Sequence, residues 1–93
     1  MEIKFKWNEN KNDINIKKHG ISFEDAVTIF SDPNNAEIYD GKHSLSEIRW
    51  KKIGLCGCEA LSVIFTEKDD IIRIISARKA DKKEEKEYFD GYS

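Results

Sequence analysis

The chain has 93 residues, room for one small domain with one core but not for two, so residues 1–93 are expected to form a single domain. Sixteen basic and 18 acidic side chains give a net charge of −2, and with 37% charged and 39% hydrophobic residues the composition excludes a disordered chain. No apolar run approaches the length of a membrane span, and the opening Met-Glu-Ile-Lys-Phe-Lys-Trp lacks the apolar core and cleavage site of a signal peptide, so a cytoplasmic protein is expected.

Ile3, Phe5 and Trp7 alternate with Lys4 and Lys6, the period of a half-buried strand. Asn8 can then cap a helix running to about His19, with Gly20 at the left-handed stop; its only apolar residues, Ile14 and Ile16 with Trp7 before it, predict a partly exposed helix. Ser22 followed by Asp25 is a variant of the capping box, with Ile21 at the staple position. Phe23, Ala26, Val27 and Phe30 make one apolar stripe on a helix that Asp32-Pro33 ends. Strands are predicted over 36–40, 47–54, 60–66 and 71–78, joined by turns at Gly41, at 54–59 and at 67–70. Short connections favour antiparallel neighbours, and the last strand, apolar on both faces, is expected at the sheet's centre. Asp81 and Glu84 repeat the capping pattern before a charged helix whose Tyr88, Phe89 and Tyr92 form a docking stripe. The order β-α-α-β-β-β-β-α predicts an α+β domain with helices on a mostly antiparallel sheet.

The summed charge hides segregation: residues 23–40 carry −5 while 42–52 and 71–80 each carry +3. Such basic segments can bind phosphate despite the acidic total, because a cleft responds to its nearest charges. Strand alternation puts Glu47, Arg49 and Lys51 on one face and Ile48, Trp50 and Lys52 on the other. Burying the charged row without partners would be costly, so it belongs in a cleft or at the surface. Arg73 and Arg78 cannot share a face of a regular strand; either a bulge near Ser76 redirects Arg78, or only one of the two serves a site and the other pairs with an acidic neighbour. His19 can act as a general acid or base, or simply as a charged cap on its helix; Tyr88 can pack the last helix or contact a phosphate.

Cys56 and Cys58, one residue apart, are read as free thiols in a turn; with His19 and His43 they would make an unusual zinc site, and no metal or cofactor is expected. No Gly-rich phosphate loop, His-Glu-x-x-His or Gly-x-Ser-x-Gly motif occurs. A metal-free phosphodiesterase needs less: a base for a 2′-hydroxyl, cations for the phosphorane and an acid for the leaving oxygen, all of which Arg, Lys, His, Glu and Tyr can supply.

Three blocks of the chain, in order, resemble the BrnT family of bacterial toxins. They are Phe5 to Lys11 with Asn15 to Ala26 and Phe30 to Pro33, then Glu47-Ile48-Arg49-Trp50 with Ile53-Gly54, then Ile72 to Arg78 with Glu87-Tyr88. The resemblance implies a RelE-like fold and metal-independent RNA cleavage that arrests translation. It also implies a cognate BrnA-like antitoxin with a ribbon-helix-helix domain, through which the hetero-oligomer meets operator DNA. The site residues it implies are Lys18, His19, Glu47, Arg49, Arg73, Arg78 and Tyr88. Arg49, Arg78 and Arg73 would hold the scissile phosphate, His19 or Glu47 would act as base, and Lys18, His19 or Tyr88 would assist the leaving group. The substrate would be single-stranded or ribosome-held RNA. The rival reading is a non-catalytic toxin-fold module acting in an antitoxin–operator repressor complex.

Overall fold

In a computed structural model the described residues are 3–42 and 47–90, so His43 and Tyr92 lie outside them. Five strands, β1 (Lys4–Lys6), β2 (Ala36–Lys42), β3 (Ile48–Cys56), β4 (Glu59–Lys68) and β5 (Ile71–Lys79), form one sheet in the order β1-β5-β4-β3-β2. Helices α1 (Glu9–His19) and α2 (Phe23–Thr28) precede β2, and α3 (Lys82–Asp90) closes the chain, giving the expected α+β order. β2 to β5 form an antiparallel meander, while β1 pairs with β5 in parallel, a long-range pairing that local turn chemistry could not announce. β5 is interior, between β1 and β4, but the middle strand is β4, and only one face of β5 is apolar, since Arg73, Ser76 and Arg78 share the other.

Local chemistry sets the helix ends. Asn8 accepts from the Lys11 N–H, Gly20 adopts φ 73° at the end of α1, and the Ser22 hydroxyl accepts from the Asp25 N–H. At α3 the box is reciprocal: the Asp81 carboxylate accepts from the Glu84 N–H, and Glu84 accepts from the Asp81 N–H. After Thr28 the helix tightens into a single 3₁₀ turn, Ile29–Ser31. The tighter turn corrects the predicted stripe: Phe23, Ala26 and Ile29 are fully buried, whereas Val27 and Phe30 only flank the core.

The core lies between α2 and one face of the sheet, built by Leu61, Val63 and Phe65 of β4 and by Ile72, Ile74 and Ala77 of β5. Gly54 lets the 3₁₀ turn rest directly on β3, since a Cβ there would stand 2.9 Å from the Ile29 Cβ. α1 is held by amides instead of an apolar stripe. Ile14 and Ile16 are exposed while Asn12 and Asn15 are buried. The Asn15 side chain donates to the carbonyls of Ala77 (2.7 Å) and Ile21 (2.8 Å) and accepts from the Ala77 N–H (3.1 Å). It thereby satisfies the edge of β5 beyond the point where β1 ends. Among the described residues, the outer face of the sheet receives only α3, which packs over Ile53 and Ser62 at one end and leaves the other end uncovered.

Candidate phosphate-binding face

A β-bulge assembles the basic residues. Ile64 pairs with Ser76 but Phe65 pairs with Ile74, so Ile75 is an extra residue in β5. Beyond it the alternation resets, and Arg73, Ser76 and Arg78 face the same side as Thr66, Ile64 and Ser62. Both features open in the sequence occur together: the bulge brings Arg78 to the face of Arg73, and Arg78 there pairs with an acidic neighbour, Glu84. Lys51 pairs with Ile64 and therefore joins this outer face with Arg49, while Trp50 and Lys52 point to the core side, as the alternation predicts. There the Lys52 ammonium lies 5.0 Å from the centre of the Phe30 ring.

Two carboxylates divide these cations into separate groups. At the open end, Arg73 Nη2 donates to Glu47 Oε1 at 2.8 Å, and the same oxygen lies 3.6 Å from Arg49 Nε. The second distance is too long for a hydrogen bond. Arg49 Nε is thus a buried donor with no partner among the described residues. Lys6 of β1 is in register with Arg73, and Thr66 pairs with Arg73 from the other side. Beside this group opens a cleft of about 650 Å³ whose walls include Lys6, Glu47, Trp50, Thr66 and Arg73. A recess of about 160 Å³ on the far side of Arg49 is bounded by Asp40, Gly41 and Lys42.

At the other end, Glu84 is 3% exposed and binds Arg78 through both oxygens (2.7 and 3.0 Å), accepts from the Ser62 hydroxyl (3.0 Å) and lies 3.1 Å from the Lys51 ammonium. Burial alone would raise its pKa, but the hydrogen bonds from Arg78, the Asp81 N–H, Lys51 and Ser62 outweigh it and hold the carboxyl at about 2. The hydrogen bonds to Glu84 in turn raise the pKa of Arg78 against the effect of burial. Arg78 therefore pins α3 to the sheet.

Tyr88 is 1% exposed and donates its hydroxyl to Asp32 Oδ2, which also accepts from the Leu55 N–H. Burial would raise the Asp32 pKa, yet bonds from Tyr88, Asn34 and Leu55 lower it. Lys18 and His19 close α1. Asn15 meets β5 at Ala77, four residues along from Arg73 and roughly 13 Å at the rise of a strand. His19 follows one turn later on the same helix face, and no hydrogen bond or ion pair among the described residues joins Lys18 or His19 to Glu47, Arg49 or Arg73.

The structure thus groups Glu47, Arg49 and Arg73, sets Arg78 and Tyr88 into the packing of α3, and leaves Lys18 and His19 at the end of α1. The sequence reading missed Lys6 and Thr66; it placed Lys51 on the face of Arg49 and Glu84 at a helix cap, but not their contact with each other. Period-2 alternation within β1 marks Lys6 as facing away from the core, but only the parallel pairing with β5 puts it beside Arg73. Cys56 is half-buried and Cys58 exposed, both as free thiols at the β3–β4 hairpin; no group of three or more metal-ligating side chains gathers among the described residues.

The model of the ribonuclease toxin BrnT of type II toxin–antitoxin systems matches residues 7–84. The chain belongs to the BrnT family. The match spans α1, the entire β2–β5 meander and the first residues of α3, and so includes every site residue named above except Lys6 and Tyr88. No curated protein matches the chain. A BrnT-family toxin of the type II class implies a cognate antitoxin. No helix among the described residues is long and apolar enough to cross a membrane.

Proposed function

We propose that this BrnT-family chain is a cytoplasmic toxin that cleaves RNA without a metal ion, arrests translation and is neutralised by a BrnA-like ribbon-helix-helix antitoxin. The observation that carries the reading is the half-buried Glu47–Arg73–Arg49 group at the edge of the cleft. Two guanidinium groups already converge on one anionic oxygen there, and Arg49 Nε lacks a hydrogen-bond acceptor. A bridging phosphate in place of the Glu47 carboxylate would give Arg49 an acceptor and keep the bond to Arg73. The displaced Glu47 would then stand next to the phosphodiester, free to take the proton of the 2′-hydroxyl. As the 2′-oxygen bonds to phosphorus and the bond to the 5′-oxygen breaks, Arg49 and Arg73 stabilise the added negative charge. The leaving 5′-oxygen, bonded to that same phosphorus, takes a proton from Lys6, which is in register with Arg73, or from water; Lys18 and His19 stand too far along β5 to reach it. Tyr88 and Arg78 act in this reading by fixing α3, because Asp32 and Glu84 already engage them.

Induced expression in growing cells tests the proposal. The wild-type chain should arrest translation, and Arg49→Ala with Arg73→Ala should relieve the arrest while leaving the protein folded. Full toxicity of that double variant would remove these residues from the site. One observation favours the rival, a non-catalytic module in a repressor complex: Arg49, Arg73 and Arg78 each lie beside a carboxylate of their own chain, which weakens their pull on RNA. A chain that binds its antitoxin but leaves RNA intact would support that rival.

A further inference from the structure

The ladder between β3 and β4 stops at Trp50 and Phe65, although β3 begins at Ile48 and β4 runs on to Lys68. The two strands part there, and the cleft of about 650 Å³ opens between them, inside the range of about 300–1,000 Å³ typical of small-molecule sites. Its lining is of three kinds. Lys6 and Arg73 supply positive charge continuous with the proposed phosphate position. Ile48, Trp50 and Ile71 supply apolar surface, with Ile48 45% exposed although it is a large aliphatic residue in a strand. Glu67 and Asp69 supply carboxylates, and neither forms an ion pair among the described residues. By strand alternation from the Trp50–Phe65 pair, Ile48, Trp50 and Glu67 belong to the core side and Lys6, Thr66 and Arg73 to the outer side, so the cleft passes through the gap between the strands and joins the two faces.

We propose that this cleft is a nucleobase subsite, in which the base next to the scissile phosphate lies against Ile48 and Trp50 and Glu67 reads its edge, with preference for guanine. The inference rests on the ribonuclease reading for the phosphate position, and on the cleft alone for the base. Unpaired RNA bases are bound by an apolar or aromatic contact to the face and by hydrogen bonds to the Watson–Crick edge. An ionised carboxylate is an acceptor only. Guanine presents two parallel donors, N1–H and the 2-amino group, which match the two oxygens of Glu67. Adenine and cytosine offer one amino group beside a ring acceptor, and the single N–H of uracil lies between two carbonyls that repel a carboxylate. Guanine therefore gains the most and uracil the least.

The test uses the full chain and two readouts. The first is titration with the 3′-monophosphates of guanosine, inosine, adenosine, cytidine and uridine, followed by NMR at the Trp50 indole N–H. The second is the cutting of synthetic single-stranded RNAs that differ in one base at the cleavage junction. Guanosine monophosphate should bind about tenfold more tightly than uridine monophosphate, with inosine, which lacks the 2-amino group, in between. Glu67→Gln should erase that ratio. Glu67 is exposed, so folding of the variant is checked by its unchanged amide spectrum away from the cleft. Equal affinities for all five nucleotides, or a guanine preference that survives Glu67→Gln, overturn the subsite. Guanine-selective binding without any RNA cleavage keeps the subsite and overturns the ribonuclease reading, whereas cleavage with no base preference does the reverse.

Discussion

Replacing Glu84 with Gln removes the one anion that Arg78, Lys51, Ser62 and the Asp81 N–H share, while keeping its volume. The folded-state pKa of Glu84 falls from 4.5 to about 2, and at about 1.4 kcal/mol per unit the ionised carboxylate contributes up to about 3 kcal/mol. Water reaches Arg78, which is 41% exposed, so the expected loss in the variant is nearer 2 kcal/mol, still a large fraction of a small domain's stability. The pH dependence carries a definite sign. A depressed carboxylate stabilises the fold above its unfolded pKa and loses that effect as pH falls from about 4.5 toward 2. Urea melts of wild type and Glu84→Gln should therefore differ by about 2 kcal/mol at pH 7, with the gap shrinking below about pH 4.5 and closing only near pH 2. A gap below about 0.5 kcal/mol at pH 7, or one that does not change with pH, would refute the reasoning.

Other perturbations probe the remaining joints. Asn15→Asp replaces a donor with an acceptor against the Ala77 and Ile21 carbonyls and should cost about 2–3 kcal/mol in denaturant melts, with faster amide exchange at Ala77. Gly54→Ala forces β3 and the 3₁₀ turn apart and should lower stability by about 1–3 kcal/mol in the same melts. Tyr88→Phe deletes a donor that lowers the Asp32 pKa, so Asp32 should titrate at higher pH by NMR; an unchanged value would deny the bond.

The fold was legible where causes are local. Asn8 with Gly20, Ser22 with Asp25, and Asp81 with Glu84 lie within a helix turn or at its two ends, and each marks a boundary the structure keeps. The Asp69-Asp70 turn was legible for the same reason, since both residues adopt the positive φ that a two-residue hairpin requires. What depends on distant pairing was hidden. The parallel partner of β1, the middle place of β4 and the burial of Asn15 follow from contacts across most of the chain. Within the candidate site, the alternation that put Glu47 and Arg49 together was sufficient, but the sharing of one carboxylate by Arg73 and Arg49 needed the sheet. Glu84 looked like one charge in a solvated Glu-Glu-Lys-Glu run; its place three residues after Asp81 marked it as a cap but gave no sign of Arg78 and Lys51.

The most direct measurement incubates the purified chain with total cellular RNA in excess EDTA, beside an Arg49→Ala, Arg73→Ala double variant whose melt matches the wild type. The wild type should give discrete cleavage products ending in 2′,3′-cyclic phosphates, and the variant should leave the RNA intact. RNA left intact by the wild type, both free and on translating ribosomes, would contradict it.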